Sequence, residues 1–174
     1  MSALDVLISE EQIRARIAEL AQTIRDLYNG EHVVLVGVLK GSLYFLADLS
    51  RELGTDVSLD FVQVSSYHGA KSSSGVVQIR KDLDQSIEGM NVLIVEDIVD
   101  TGLTLNHLKE LFRTRHPKSL HVVSLLSKPE ARTMETLIDF VGFEIPNEFV
   151  VGFGLDYSER YRNLPYIAIL RDSH

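Results

Sequence analysis

Val92-Leu93-Ile94-Val95-Glu96-Asp97-Ile98-Val99-Asp100-Thr101-Gly102-Leu103-Thr104 decides how the chain is read. Asn91 to Val95 predicts a short strand, apolar enough to be buried on both faces. It runs into the adjacent carboxylates Glu96 and Asp97, and Asp100 adds a third. Thr101-Gly102-Leu103-Thr104 then opens a helix, Leu103 to Arg115, ended by Pro117. A turn at a helix N-terminus presents unpaired N–H groups and the positive end of the helix dipole, which suits a phosphate monoester. Gly102 lets the backbone approach a ligand closely, and Thr101 and Thr104 add hydroxyl donors. The carboxylates repel one another and a phosphate. The conflict resolves if cations, sugar hydroxyls or a proton-donating substrate sit beside them. In the plainer reading Asp100 merely caps the helix while Glu96 and Asp97 face solvent.

Outward from this stretch the pattern alternates. Val33 to Val38 predicts a buried strand, followed by Leu39-Lys40-Gly41-Ser42. Leu43, Leu46, Leu49 and Leu53 then have helical spacing up to Gly54. Val57 to Val64 and Leu120 to Leu126 read as further strands. Before them, Ile13, Ile17, Leu20, Ile24 and Leu27 mark one face of a helix from Ser9 to Asn29. Ser9 with Gln12 forms a capping box, and Gly30 is the stop. Strands alternating with helices predict an α/β fold, a mostly parallel twisted sheet flanked by helices. Ligands bind beyond the carboxyl ends of such strands, so the loops after Val38, Val95 and Leu126 are the candidates. Ser65 to Gly75, rich in serine and glycine, is either a floppy surface loop or a lid that orders over substrate. No repeat or linker divides the chain, so residues 1–174 are expected to form one domain.

Composition excludes several functions. The 174 residues are 45% hydrophobic, enough for a real core. Lys plus Arg number 17 against 25 Asp plus Glu, a net charge of −8. That balance argues against a general nucleic-acid or anionic-membrane binder. The absence of cysteine excludes disulfides, thiol nucleophiles and Cys-ligated metals. Met1 to Glu11 lacks the features of a secretory signal. No apolar run approaches the roughly 18–20 residues of a membrane span, and a cytoplasmic location is expected. Gly152-Phe153-Gly154 begins like a dinucleotide fingerprint, but Tyr157 stands at the third glycine position.

Glu96 to Thr104, behind its apolar strand, resembles the phosphoribosyl pyrophosphate signature of type I phosphoribosyltransferases. Among these the 6-oxopurine branch, the hypoxanthine-guanine phosphoribosyltransferases, is most similar. Leu39-Lys40-Gly41-Ser42, Ser66-Tyr67, Ser127-Lys128-Pro129, Phe149 to Gly152, Leu155-Asp156-Tyr157 and Arg162 follow in family order. The resemblance implies a small hood built from the chain termini and a reaction in which a purine displaces pyrophosphate from the sugar. It implies that Glu96 and Asp97 hold the ribose hydroxyls and magnesium, directly or through water. Asp100 is the implied general base, and the amides from Asp100 through Thr101, Gly102 and Leu103 to Thr104 cradle the 5′-phosphate. Lys40, Gly41 and Arg162 are implied to meet pyrophosphate, with a cis Leu39–Lys40 bond. Lys128 would read the 6-oxo group, since a cation prefers a carbonyl to an amino donor; by itself it could be a solvated loop lysine. Phe149 would stack on the purine and the Val150 backbone would pair with it, although an aromatic beside two valines is also a candidate core residue. Asp156, beside the purine, would anchor a second magnesium or pair with an arginine. Glu159, Arg160 and Arg162 could equally be an exposed charge cluster. Ser66 and Tyr67 would belong to a lid. The resemblance further implies a homodimer or homotetramer, with phosphoribosyl pyrophosphate and a 6-oxopurine base as substrates. Leu103 stands where some members carry lysine, and Gln63 and Ser65 stand where vertebrate-like members carry basic residues, so the resemblance implies a bacterial-like member. Two alternatives remain, a catalytically weak nucleotide sensor that binds RNA and an enzyme for another base.

Overall fold

The structure, a computed structural model, describes residues 3–54, 56–66 and 77–171. In chain order the elements are β1 (Ala3–Ile8), α1 (Glu10–Tyr28), β2 (Val33–Leu39), α2 (Leu43–Leu53), β3 (Val57–Ser66), β4 (Val77–Lys81), β5 (Asn91–Val99), α3 (Leu103–Arg113), β6 (Ser119–Ser127), β7 (Phe140–Glu144), β8 (Val150–Val151) and β9 (Ile167–Arg171). The main sheet has the order β4-β3-β2-β5-β6-β7. All its pairings are parallel except that of the edge strand β4 with β3.

Alternation along the central strands feeds a core on each face. Val33, Leu35, Leu93 and Val95 pack with α1 and α2. Val34, Val36, Val92 and Ile94 pack with Leu105, Leu108 and Phe112 of α3. Sandwiched between helices, these strands need apolar residues on both faces, which explains the continuous runs in the sequence. Both reciprocal bonds of the Ser9–Gln12 capping box form. The helix stops where Asn29 turns left-handed and donates its N–H to Arg25 O.

Several expectations are corrected. Leu27 is 45% exposed because the buried stripe of α1 continues through Ala21 and Tyr28 instead. Leu43, counted on the buried face of α2, is also exposed, and Phe45 takes the inward position. α3 stops at Arg113 rather than Arg115. β5 continues through both carboxylates to Val99, because its ladder with β6 runs on through Glu96–Ser124, Ile98–Leu126 and Val99–Ser127. A second sheet, β1-β9-β8, joins the two ends of the chain antiparallel, with Ala3 opposite Arg171. It is the hood expected from the termini.

Candidate active site

The carboxyl ends of β2, β5 and β6 lie side by side, so the segments after them share one edge of the sheet. Glu96 and Asp97, consecutive in β5, point to opposite faces. Glu96 is buried, and burial, then the Asp97 charge, holds its carboxyl well above the usual range. Burial raises Asp97 too, while the Ile98 amide and the Arg162 charge pull it back. The Asp97 Oδ1 accepts the Ile98 N–H at 2.7 Å. Its other oxygen lies against Gly41, where a Cβ would fall 1.8 Å from it. The Leu39–Lys40 peptide bond leading into Gly41 is cis. On the opposite side Gly154 takes φ +103, and a Cβ there would meet Gly41 O at 2.0 Å. Two glycines thus let the β2 loop, the β5 carboxylate and the segment after β8 converge.

Past Val99 the chain turns through Asp100 and Thr101 to Gly102, the N-cap of α3, which takes a φ of 91° that favours glycine. The N-cap is a glycine with no side chain to cap with, and the Asp100 carboxylate accepts no N–H from the first turn, so the reading of Asp100 as a cap is set aside. The Asp100 side chain is half-exposed, and an oxygen of it lies 3.8 Å from Lys128 Nζ. Thr101 Oγ1 accepts the Leu103 N–H at 3.3 Å, so that amide already has a partner. Thr104 lies in the first turn of α3.

Lys128 follows β6 and is buried, with only 8% of its surface accessible. Its N–H donates to Val99 O at 3.0 Å, which ties the two strand ends. It is therefore not a solvated loop lysine. Arg132, which the sequence did not single out, donates through Nη1 to Asp100 O at 2.8 Å and Val99 O at 3.2 Å. Its Nη2 donates to Ser127 Oγ at 2.7 Å.

The segment after β8 carries the remaining groups. Phe149 is 52% exposed and meets Tyr157 edge-on at 5.8 Å, so it is not core. Val150 is buried and pairs with Ile169. Arg162 Nη2 reaches Asp156 at 3.4 Å and Glu159 at 3.1 Å, and Nη1 donates to Gly154 O at 2.6 Å. Its buried Nε has no partner. Glu159, at φ 63°, also accepts from Lys40 Nζ at 3.0 Å. It bridges two of the cations expected to meet pyrophosphate, and the bonds from Lys40 and Arg162 hold its carboxyl below the usual range. The expected exposed cluster is thus a network reaching across to the β2 loop. Glu96, Asp97 and Asp156 do not form a ready-made metal cage, and among the described residues no group of three or more such ligands does. The Ser66 side chain and Tyr67 lie outside the described residues.

The profile of the phosphoribosyl transferase domain matches residues 7–158. The chain belongs to the phosphoribosyltransferase family. This phosphoribosyltransferase is 53% identical over 166 residues to a hypoxanthine-guanine phosphoribosyltransferase of Bacillus subtilis, covering 95% of this chain and 92% of that one. A crystal structure of a hypoxanthine-guanine phosphoribosyltransferase from Bacillus anthracis matches with a TM-score of 0.91 at 48% identity, covering 95% of this chain and 97% of that one. A hypoxanthine phosphoribosyltransferase structure from Staphylococcus aureus matches with a TM-score of 0.92 at 50% identity, covering 96% and 91%. The α/β architecture is that of the type I phosphoribosyltransferases.

Proposed function

We propose that this phosphoribosyltransferase serves purine salvage, transferring the 5-phosphoribosyl group from phosphoribosyl pyrophosphate to hypoxanthine or guanine and giving IMP or GMP and pyrophosphate. The observation that carries the assignment of groups is the half-exposed Asp100 carboxylate, free of any capping role, 3.8 Å from a buried lysine Nζ. A carboxylate and an ammonium side by side match an oxopurine, which offers an imidazole N–H to one and a carbonyl oxygen to the other.

A purine ring nitrogen forms the bond to the anomeric carbon as the bond from that carbon to pyrophosphate breaks. Asp100 accepts the imidazole proton. Lys128 donates to the 6-oxo group, and Phe149 offers its exposed ring for stacking. The turn from Asp100 to Thr104 holds the 5′-phosphate, and Glu96 and Asp97 address the ribose hydroxyls. Lys40, Gly41 and Arg162 receive the departing pyrophosphate, which displaces Glu159 from its two cations. Ser66 and Tyr67 begin a lid that excludes water. The carboxylates Asp97, Glu96 and Asp156 fit magnesium, a hard cation that keeps waters and takes few protein ligands beside substrate phosphates. Bound there, the ion supplies charge neutralisation on the pyrophosphate. The whole chain acts as one domain, in the cytoplasm, as a homodimer or homotetramer.

The test is turnover with phosphoribosyl pyrophosphate, magnesium and each of hypoxanthine, guanine, xanthine and adenine. Activity with hypoxanthine or guanine and little with adenine is expected. Asp100→Asn, equal in shape but not in proton affinity, should lower turnover about 10²–10⁴-fold. Preference for adenine would overturn the base assignment, and near-wild-type turnover of Asp100→Asn would remove Asp100 as the base.

A further inference from the structure

We propose that Arg132 is a positioning residue, whose guanidinium joins the carboxyl ends of β5 and β6 and so fixes Asp100 relative to Lys128. The inference rests on Asp100 being the base. Asp100 and Lys128 belong to different strands, each one residue beyond its strand's last pairing, Val99 with Ser127. Past that pairing the ladder no longer sets their separation. Beyond it, the Lys128 N–H bond to Val99 O continues the connection on one side. Arg132 supplies the rest, holding the Val99 and Asp100 carbonyls with one nitrogen and the buried Ser127 hydroxyl with the other. A planar guanidinium presents these donors in fixed geometry.

The partners of this guanidinium are also unusual for a charged group. All three acceptors are neutral, and Arg132 takes part in none of the ion pairs among the described residues. The segment around it lies directly on the phosphate-cradling turn. Thr133 N–H donates to Thr101 O at 3.2 Å. A Cβ at Gly102 would fall 1.9 Å from Thr136 Oγ1 and 3.4 Å from Arg132 Cδ. Asn106 Nδ2, one turn into α3, reaches Glu135 O and Thr136 Oγ1, both at 3.1 Å. Arg132 thus braces the peptide that carries the base while its own bonds go to neither the Asp100 carboxylate nor the Lys128 ammonium. Misplacing a catalytic group by about 1 Å can cost around 10²-fold in rate.

The experiment measures kcat, KM and melting temperature for Arg132→Gln, Arg132→Lys, Ser127→Ala, Asp100→Asn and the Asp100→Asn/Arg132→Gln double variant. Arg132→Gln should lower kcat roughly 10–100-fold and leave the KM for phosphoribosyl pyrophosphate within about threefold. Lysine keeps the charge without the fork and should recover only part of the loss. Ser127→Ala removes one of three acceptors and should lower kcat by less. The double variant should be no slower than Asp100→Asn alone, because the brace acts through a base already gone. A kcat for Arg132→Gln within twofold of wild type, full recovery by lysine, or losses that multiply in the double variant would each overturn the positioning role. If Arg132→Gln does not fold, wild-type kcat in both Arg132→Lys and Ser127→Ala overturns it. Wild-type turnover of Asp100→Asn would instead overturn the base assignment on which the role rests.

Discussion

Replacing Gly41 by alanine tests whether the Lys40-Gly41 loop and the Asp97 carboxylate, proposed to meet pyrophosphate and ribose, are one packed unit. Gly41 does not sit at positive φ, so the backbone itself tolerates a side chain and only space decides. A Cβ there would stand 1.8 Å from Asp97 Oδ2 and 2.6 Å from its Cγ, where real Cβ atoms essentially never come within 3.0 Å. Either the carboxylate or the loop must retreat by more than an ångström. Asp97 is tied to the Ile98 amide at 2.7 Å, and Gly41 O lies against Gly154, so neither is free to move. Overpacking of this kind costs about 1–3 kcal/mol, equivalent to roughly 2–12 °C in melting temperature for a chain of this length. Catalysis should suffer more than stability, with kcat/KM for phosphoribosyl pyrophosphate falling about 10²-fold. The assays are thermal melting and initial rates. A second background isolates the cause. With Asp97→Ala already present the clash is gone, and Gly41→Ala should cost little further stability. Wild-type melting and activity for Gly41→Ala, or an undiminished stability cost in the Asp97→Ala background, would refute the reasoning.

Phe149→Ala should raise the KM for the purine roughly 5- to 150-fold, since base stacking on an aromatic contributes roughly 1–3 kcal/mol, with little change in melting temperature because Phe149 is 52% exposed; a large melting loss with an unchanged KM would return Phe149 to the core. Asp82 and Arg115 form a two-pronged pair at 2.7 and 2.8 Å, and the Arg115 hydrogen bond is the main cause holding the Asp82 carboxyl below its usual range. A depressed carboxyl contributes stability above its unfolded pKa of about 3.9 and loses it as pH falls through the lower folded value. Arg115→Met should therefore cost under about 1 kcal/mol at pH 7, this pair being partly solvent-screened, with the gap to wild type closing as pH falls below the unfolded carboxyl value of about 3.9; a gap in urea unfolding that is as large in acid as at neutral pH would count against the pair. Excess chelator should abolish turnover yet leave the melting temperature of the substrate-free enzyme unchanged, because the described residues form no metal cage; a fall in melting temperature would reveal a resident ion.

β2 and the first half of β5 are legible because these central strands are buried on both faces and read as unbroken apolar runs, whereas the half-exposed edge strands β4 and β7 carry no such run. β5 reads short because Glu96 and Asp97 interrupt the apolar signal, whereas the ladder that extends it to Val99 is made by backbone groups. β1 and β9 carry no local signal strong enough to mark them. They are strands because Ala3 pairs with Arg171, a contact between the chain ends that no local window contains. The site divides in the same way. Glu96 to Thr104 is contiguous, so its chemistry can be read along the chain. Arg132 acts on the carbonyls of Val99 and Asp100, and carbonyls are present at every residue, so no side-chain pattern announces the contact. Glu159 is visible as a charge, but its bridge to Lys40 depends on the fold bringing together residues 119 apart.

An acidic chain with net charge −8 that handles a polyanion must solve an electrostatic problem. The site's cations do not wait bare. Lys40 is paired with Glu159, Arg162 with Glu159 and Asp156, and Lys128 faces Asp100. Pairs that reach solvent are weak, typically about 0–1 kcal/mol, so a phosphate oxygen can replace a carboxylate at small cost while the cation keeps its place. In the proposed exchange the displaced Glu159 and the fixed Asp97 and Asp156 stay near the incoming charge. At about 4 Å and an effective dielectric of 20, each such like-charge pair opposes binding by roughly 4 kcal/mol. Burial holds Glu96 toward its neutral form, so it adds little to that repulsion, and the backbone amides at the N-terminus of α3 attract an anion without adding a side-chain charge. The remainder needs counter-charge that arrives with the ligand. On the proposed reading a divalent ion carried on the pyrophosphate would supply it, and the carboxylates that repel the naked substrate would then attract the metal-bound one.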